Sequence, residues 1–184
     1  MNMDRRLFFA LWPDDEVRTR VDRLAAAWDG HAGRRIPREN YHITLAFLGM
    51  VNAERQACLE RAAAGLAGRP FVLHLDRAGY FPRSQVLWLG AAFCPEALTV
   101  LAHDLAATVM TCGNQRADGE GFTPHLTLLR DSAPPPPDRL RVAEPVVWRV
   151  GSFCLVESIL MPRGSEYRVL AEYPLAPALT PSPA

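Results

Sequence analysis

Short apolar blocks with strand spacing alternate along this chain with three longer stretches of helical spacing. Leu7-Phe8-Phe9-Ala10-Leu11-Trp12 is continuously apolar and predicts a strand covered on both faces. Pro13-Asp14-Asp15-Glu16 then opens a helix, with acidic groups at the positive end of its dipole. Val17, Val21, Leu24 and Trp28 follow at i, i+4, i+7 and i+11, a single buried stripe that stops near Gly30. A strand over 41–48 ends at Gly49, and Asn52 caps a second helix whose Cys58, Leu59, Ala62, Ala63 and Leu66 face inward before Gly68. Phe71, Leu73 and Leu75 alternate in a strand, and 86–89 form another beyond a loop at Pro82-Arg83-Ser84. Pro95 begins a third helix, with Leu98, Leu101, Leu105 and Val109 on one side. A polar loop over 113–121 leads into a strand at His125, the prolines at 134–137 make a rigid connector, and 145–173 read as two strands turning at Pro162-Arg163-Gly164.

The order is β-α-β-α-β-β-α-β followed by a hairpin. It predicts an α+β fold of two pseudo-symmetric lobes of antiparallel sheet, with outer helices and an active-site groove between the lobes. The chain of 184 residues suits a single domain over 1–177, with the proline-rich 178–184 expected to be a disordered tail. No apolar run reaches the length of a membrane span, so we expect a cytoplasmic monomer without membrane contact.

Charge narrows the partners. Net charge is zero, which argues against a surface that coats polyanions, and all 20 basic residues are Arg. The absence of Lys reads as coding bias. Arg chosen for a bidentate phosphate grip applies only at single positions within a local cleft. Cys58, Cys94, Cys112 and Cys154 show no metal-ligand spacing and are expected to be small buried thiols. His31, His74 and His103 read as surface residues.

Two tetrads concentrate the chemistry: His42-Ile43-Thr44-Leu45 and His125-Leu126-Thr127-Leu128. In a strand, residues two apart share a face, so each tetrad presents an imidazole beside a hydroxyl while its apolar residues enter the core. A lone His in a strand is usually structural. Two near-identical tetrads 83 residues apart, flanked by Asn40 and Pro124, suit one catalytic group per lobe. In-line displacement at phosphorus needs a base on the side of attack and an acid on the leaving side, and two imidazoles titrating near neutrality supply both. Thr44 and Thr127 can donate to the non-bridging oxygens, and no metal or cofactor is required.

These motifs resemble the two-histidine (2H) phosphoesterases, in the branch of RNA 2′,3′-cyclic phosphodiesterases also called 2′–5′ RNA ligases or LigT-like proteins. The resemblance runs from Arg6 through Tyr167. It is densest over His42-Ile43-Thr44-Leu45-Ala46-Phe47-Leu48-Gly49 and Phe122-Thr123-Pro124-His125-Leu126-Thr127-Leu128-Leu129-Arg130, and weaker at 86–90, Ser158, Gly164 and Tyr167. It implies hydrolysis of 2′,3′-cyclic phosphate ends of RNA or nucleotides to 2′-phosphates, with His42 as proton donor and His125 as proton acceptor. Weak reversible 2′–5′ joining would be a side reaction.

The resemblance also implies a phosphate-contacting Arg130, although simple strand parity aims it away from the histidines. Phe122 is the better candidate for stacking on a base, since Phe47 has core parity. Tyr167 and Arg83 are candidates for the groove rim. Glu120 stands where relatives often carry Arg, which puts substrate length in question. The alternatives are a 2H hydrolase of another cyclic or 2′–5′-linked nucleotide, and a non-catalytic module that binds RNA ends or nucleotides.

Overall fold

Nine strands form one antiparallel sheet in the computed structural model, which describes residues 4–113, 122–162 and 164–175. They are β1 (Arg5–Leu11), β2 (Arg34–Arg35), β3 (Ile43–Val51), β4 (Phe71–Phe81), β5 (Val86–Gly90), β6 (His125–Arg130), β7 (Arg141–Val150), β8 (Ser152–Met161) and β9 (Gly164–Pro174). Three helices accompany them: α1 (Asp15–Ala25), α2 (Ala53–Ala64) and α3 (Glu96–Thr111). The strand order is β7-β4-β5-β6-β3-β1-β8-β9, with β2 pairing on β6.

The two central strands are in ladder register at one residue pair, Ile43 with Leu126. One lobe is β3-β1-β8-β9, the other is β7-β4-β5-β6 with β2, and β3 and β6 form the seam. The expected two-lobed α+β fold is therefore the observed one. The helices lock the seam by crossing it, because α1 packs on β7 of the other lobe and α3 packs on β3.

Local chemistry explains the helix starts. Asp14 Oδ1 accepts from the Val17 N–H at 2.8 Å, and Asn52 Oδ1 accepts from the Arg55 N–H at 2.9 Å. The α1 stripe buries Val17, Val21 and Ala25 and continues through a 3₁₀ turn to Trp28.

Three expectations are corrected. The segment over 145–173 belongs to three strands, since β7 begins at Arg141 and the chain passes between lobes at Gly151. Pro145 is tolerated inside β7 because that strand lies at the sheet edge. Cys58 and Cys112 are not thiols: they form a disulfide from α2 to the end of α3, with Cα atoms 5.9 Å apart. Cys94 and Cys154 are free, and burial pushes the Cys154 thiol up to about 12. His31 is not simply on the surface. Its ring meets Trp28 edge-on, and Nε2 lies 3.0 Å from the Ala133 carbonyl. Residues 178–184 lie outside the described residues. No described helix is long and apolar enough to cross a membrane.

Candidate active site

The seam builds the site. Ile43 and Leu126 are fully buried in the core, so the residues on either side of each point the other way. Antiparallel register then sets His42 across from Thr127, and Thr44 across from His125. All four line one cleft of about 920 Å³, a volume suited to a nucleotide-sized ligand.

Each imidazole is held in the same way. His42 Nδ1 lies 2.7 Å from the Asn40 carbonyl, and His125 Nδ1 lies 2.8 Å from the Thr123 carbonyl. A carbonyl only accepts, so Nδ1 carries the proton and the neutral ring turns the Nε2 lone pair into the cleft. In His42 that lone pair accepts from the Thr44 hydroxyl at 3.1 Å. Flanking chain fixes the Asn40 carbonyl in position. Asn40 donates its side-chain amide to the Ser165 carbonyl at 2.8 Å, which ties the approach to β3 to the tip of the β8–β9 hairpin.

The surroundings of the two rings differ. His42 sits in an aromatic box, with Phe8 and Tyr167 centroids at 5.0 Å and Trp12 stacked at 5.8 Å. His125 meets Phe81 edge-on at 4.9 Å, with Trp88 at 6.3 Å. Burial pushes the His42 imidazole down to about 4; the Asn40 carbonyl opposes this, and the positive charges of His125, Arg130 and Arg18 add to it. Burial lowers His125 as well, with Arg130 adding to the effect and the Thr123 carbonyl opposing it. In the free protein both rings are therefore driven toward the neutral form.

Arg130 reaches the cleft, contrary to simple parity. Along β6 the pairs with β5 run Trp88 to Thr127 and then Leu87 to Leu129, so Leu128 is an extra residue. This β-bulge buries Leu128 and Leu129 in succession and returns Arg130 to the histidine side. Strand β3 does the same. Ala10 pairs with Thr44 and Phe9 with Ala46, which leaves Leu45 as the extra residue. Phe47 is therefore not in the core: it is 58% exposed and lines the cleft. Phe122, the expected stacking residue, is partly exposed and outside the cleft lining. Tyr167 lines the cleft and Arg83 does not, being exposed in the turn between β4 and β5. Glu120 lies outside the described residues.

Arg18 is a functional residue that the sequence reading missed. Though buried on α1, its guanidinium donates to the carbonyls of Pro13, Arg38 and Glu39 at 2.9, 2.6 and 2.8 Å and lies 4.9 Å from the Trp12 ring. It thus positions both the segment entering His42 and the indole stacked on it. Its place beside Val17 and Val21 was the available signal, but long Arg side chains commonly flank apolar stripes.

Among the described residues no Asp or Glu lines the cleft, whereas Arg6, Arg34, Arg35 and Arg130 do. A net-neutral chain has concentrated positive charge where an anion would enter. Among the described residues no three His, Cys, Asp or Glu side chains converge as metal ligands. The arrangement can bind a phosphate anion and move protons to or from its oxygens on two sides.

Comparison with known proteins agrees with this architecture. The chain is 38% identical over 142 residues to the RNA 2′,3′-cyclic phosphodiesterase of Escherichia coli, covering 74% of this chain and 80% of that one. It is 32% identical over 174 residues to the protein of that name from Archaeoglobus fulgidus, covering 90% and 97%. The crystal structure of E. coli LigT in apo form superposes with a TM-score of 0.84 at 33% identity, covering 95% of this chain and 99% of that one. LigT complexed with 3′-AMP gives 0.82 at 31% identity, with the same coverage. The family model of the 2′-5′ RNA ligase superfamily matches residues 13–159, and the chain belongs to that superfamily of two-histidine phosphoesterases.

Proposed function

We propose that this protein is an RNA 2′,3′-cyclic phosphodiesterase that opens terminal cyclic phosphates of RNA or nucleotides to 2′-phosphates. The observation that carries the reading is the pair of imidazoles, each with Nδ1 on a backbone carbonyl and Nε2 turned toward the cleft, on strands paired at Ile43 and Leu126. The activity for which the relatives are named points the same way.

The reaction is an in-line displacement. His125 Nε2 takes a proton from water as its oxygen bonds to phosphorus. The bond from phosphorus to the ribose 3′-oxygen breaks on the far side, and His42 Nε2–H protonates that oxygen. Thr44 and Thr127 donate to the non-bridging oxygens, and Arg130 balances the charge that builds on them. Phe47 offers an exposed aromatic face to the base. Every side chain comes from one chain, so a monomer is sufficient.

The protonation states follow from electrostatics. Each ring alone in the cleft favours neutrality, yet the reaction starts with one of them charged. The anionic diester supplies the missing negative charge and raises both, so substrate binding takes up the proton that the reaction then uses.

Incubation of chelator-treated protein with adenosine 2′,3′-cyclic phosphate tests the proposal, with the product identified by phosphorus NMR. We expect a 2′-phosphate, and no product from His42→Ala or His125→Ala. Binding of the nucleotide without turnover would instead make the protein a binding module.

A further inference from the structure

The cleft carries more positive charge than a single phosphate uses. Arg34 on β2 and Arg130 on β6 stand directly opposite each other. Like charges at such cross-strand positions repel and normally destabilise a sheet, unless an anion lies between or beyond them. Both side chains line the cleft.

The two are not equivalent. Arg130 is the inner cation, whose charge is felt at both imidazoles. Arg34 leans outward: its Nη1 lies 3.8 Å from where a Cβ on Gly164 would stand, so the guanidinium reaches toward the β8–β9 turn of the opposite lobe. Its Nε faces Asp131 Oδ2 at 3.7 Å, but both groups are more than half exposed, and such a pair holds weakly. A guanidinium has five donors, and this contact engages one edge. Arg35 is committed elsewhere, to Asp29 at 2.6 Å and Asp22 at 2.9 Å. Arg6 lines the other lobe.

We propose that Arg34 forms a second phosphate subsite, which holds the phosphodiester on the 5′ side of the terminal nucleoside, so that the preferred substrate is the end of an RNA strand and not a free nucleoside cyclic phosphate. This deepens the cyclic phosphodiesterase reading and rests on it.

The test compares kcat/KM for adenylyl-adenosine 2′,3′-cyclic phosphate with that for adenosine 2′,3′-cyclic phosphate. The unaltered protein is expected to prefer the dinucleotide, by a margin that shrinks as salt rises. Arg34→Ala should cut that preference about tenfold. Arg34→Lys should restore it in part, because it returns the charge without the planar fork. Arg130→Ala should lower both rates and leave their ratio near its starting value. Turnover of the mononucleotide confirms that each variant is folded.

Equal rates on the two substrates in the unaltered protein would overturn the subsite. So would an Arg34→Ala variant that slows both equally, or a preference removed by Arg6→Ala instead. Turnover of neither substrate by the unaltered protein would overturn the activity itself, a separate result.

Discussion

Ile43 pairs with Leu126, the one position at which β3 and β6 are in ladder register among the described residues. It sets the catalytic register. Because the pair is antiparallel and both residues are fully buried, the His of each tetrad must face the Thr of the other. A one-residue slip of either strand would turn its own histidine toward the core.

Shortening one member of this pair should therefore damage the protein at its seam. Leu126→Ala removes fully buried methyl groups, and we expect a loss of about 2–5 kcal/mol of stability. Urea denaturation measures this directly. A loss below about 1 kcal/mol would mean that the crossing helices, not the central pair, hold the lobes in register.

Much of the site was legible in the sequence because a strand has a period of two. The tetrads needed only that alternation to put His42 with Thr44 and His125 with Thr127. What defeated the reading was the interruption of the same period. Leu45 and Leu128, the fourth residue of each tetrad, are both extra residues in their ladders, and nothing in a leucine announces a bulge. Each bulge re-aims the residue five places after its histidine, Phe47 in one lobe and Arg130 in the other. The disulfide was hidden for another reason, since its cysteines are 54 positions apart and meet only when α2 and α3 pack.

Arg130, brought back by its bulge, should be visible to both imidazoles. Its positive charge lowers both, so Arg130→Ala should raise the pKa of His42 and of His125 in the free protein. Two-dimensional NMR titration of the imidazole carbons reads each ring separately. Unchanged midpoints would place the guanidinium away from the phosphate site. The same variant should lose about 100-fold in kcat/KM if the charge stabilises the transition state.

The depressed imidazoles also fix the direction of the pH profiles. The profile of kcat/KM follows the free protein, where burial keeps His42 near 4 and lowers His125. Its alkaline limb should therefore fall below the ordinary histidine value of 6.5. The profile of kcat follows the complex, where the bound anion raises both rings, so its alkaline limb should sit at higher pH. Coincident limbs would remove the coupling between binding and proton uptake. Stability carries the same sign: a ring kept neutral in the fold but protonated when unfolded favours unfolding as pH drops from 6.5 toward 4.

The Cys58–Cys112 bridge closes a long loop that contains β4 and β5 of the His125 lobe. Reduction should lower stability by roughly 4 kcal/mol on the chain-entropy model, or about 10 °C in Tm for a domain of this size. Thermal unfolding with and without a thiol reductant, and in Cys58→Ser with Cys112→Ser, checks this. An unchanged Tm would mean that α2 and α3 are held by packing alone.

The two histidines remain to be told apart by chemistry, and their environments make that worth doing. Burial in the aromatic box pushes His42 down to about 4 and burial lowers His125 as well, so neither ring readily holds a proton in the free protein. The assignment implied by the family resemblance needs it on His42 when the 3′-oxygen leaves. Binding must bring it there, and the open donors of Thr127 and Arg130 can hold the anion that does so. A diester with a nitrophenolate leaving group separates the roles, since that group departs without a proton. With it, His42→Ala should recover most of the 10²–10⁴-fold typical of general acid catalysis, whereas His125→Ala should stay inactive. Recovery in His125→Ala instead would exchange the two assignments and put the attacking water on the His42 side of the cleft.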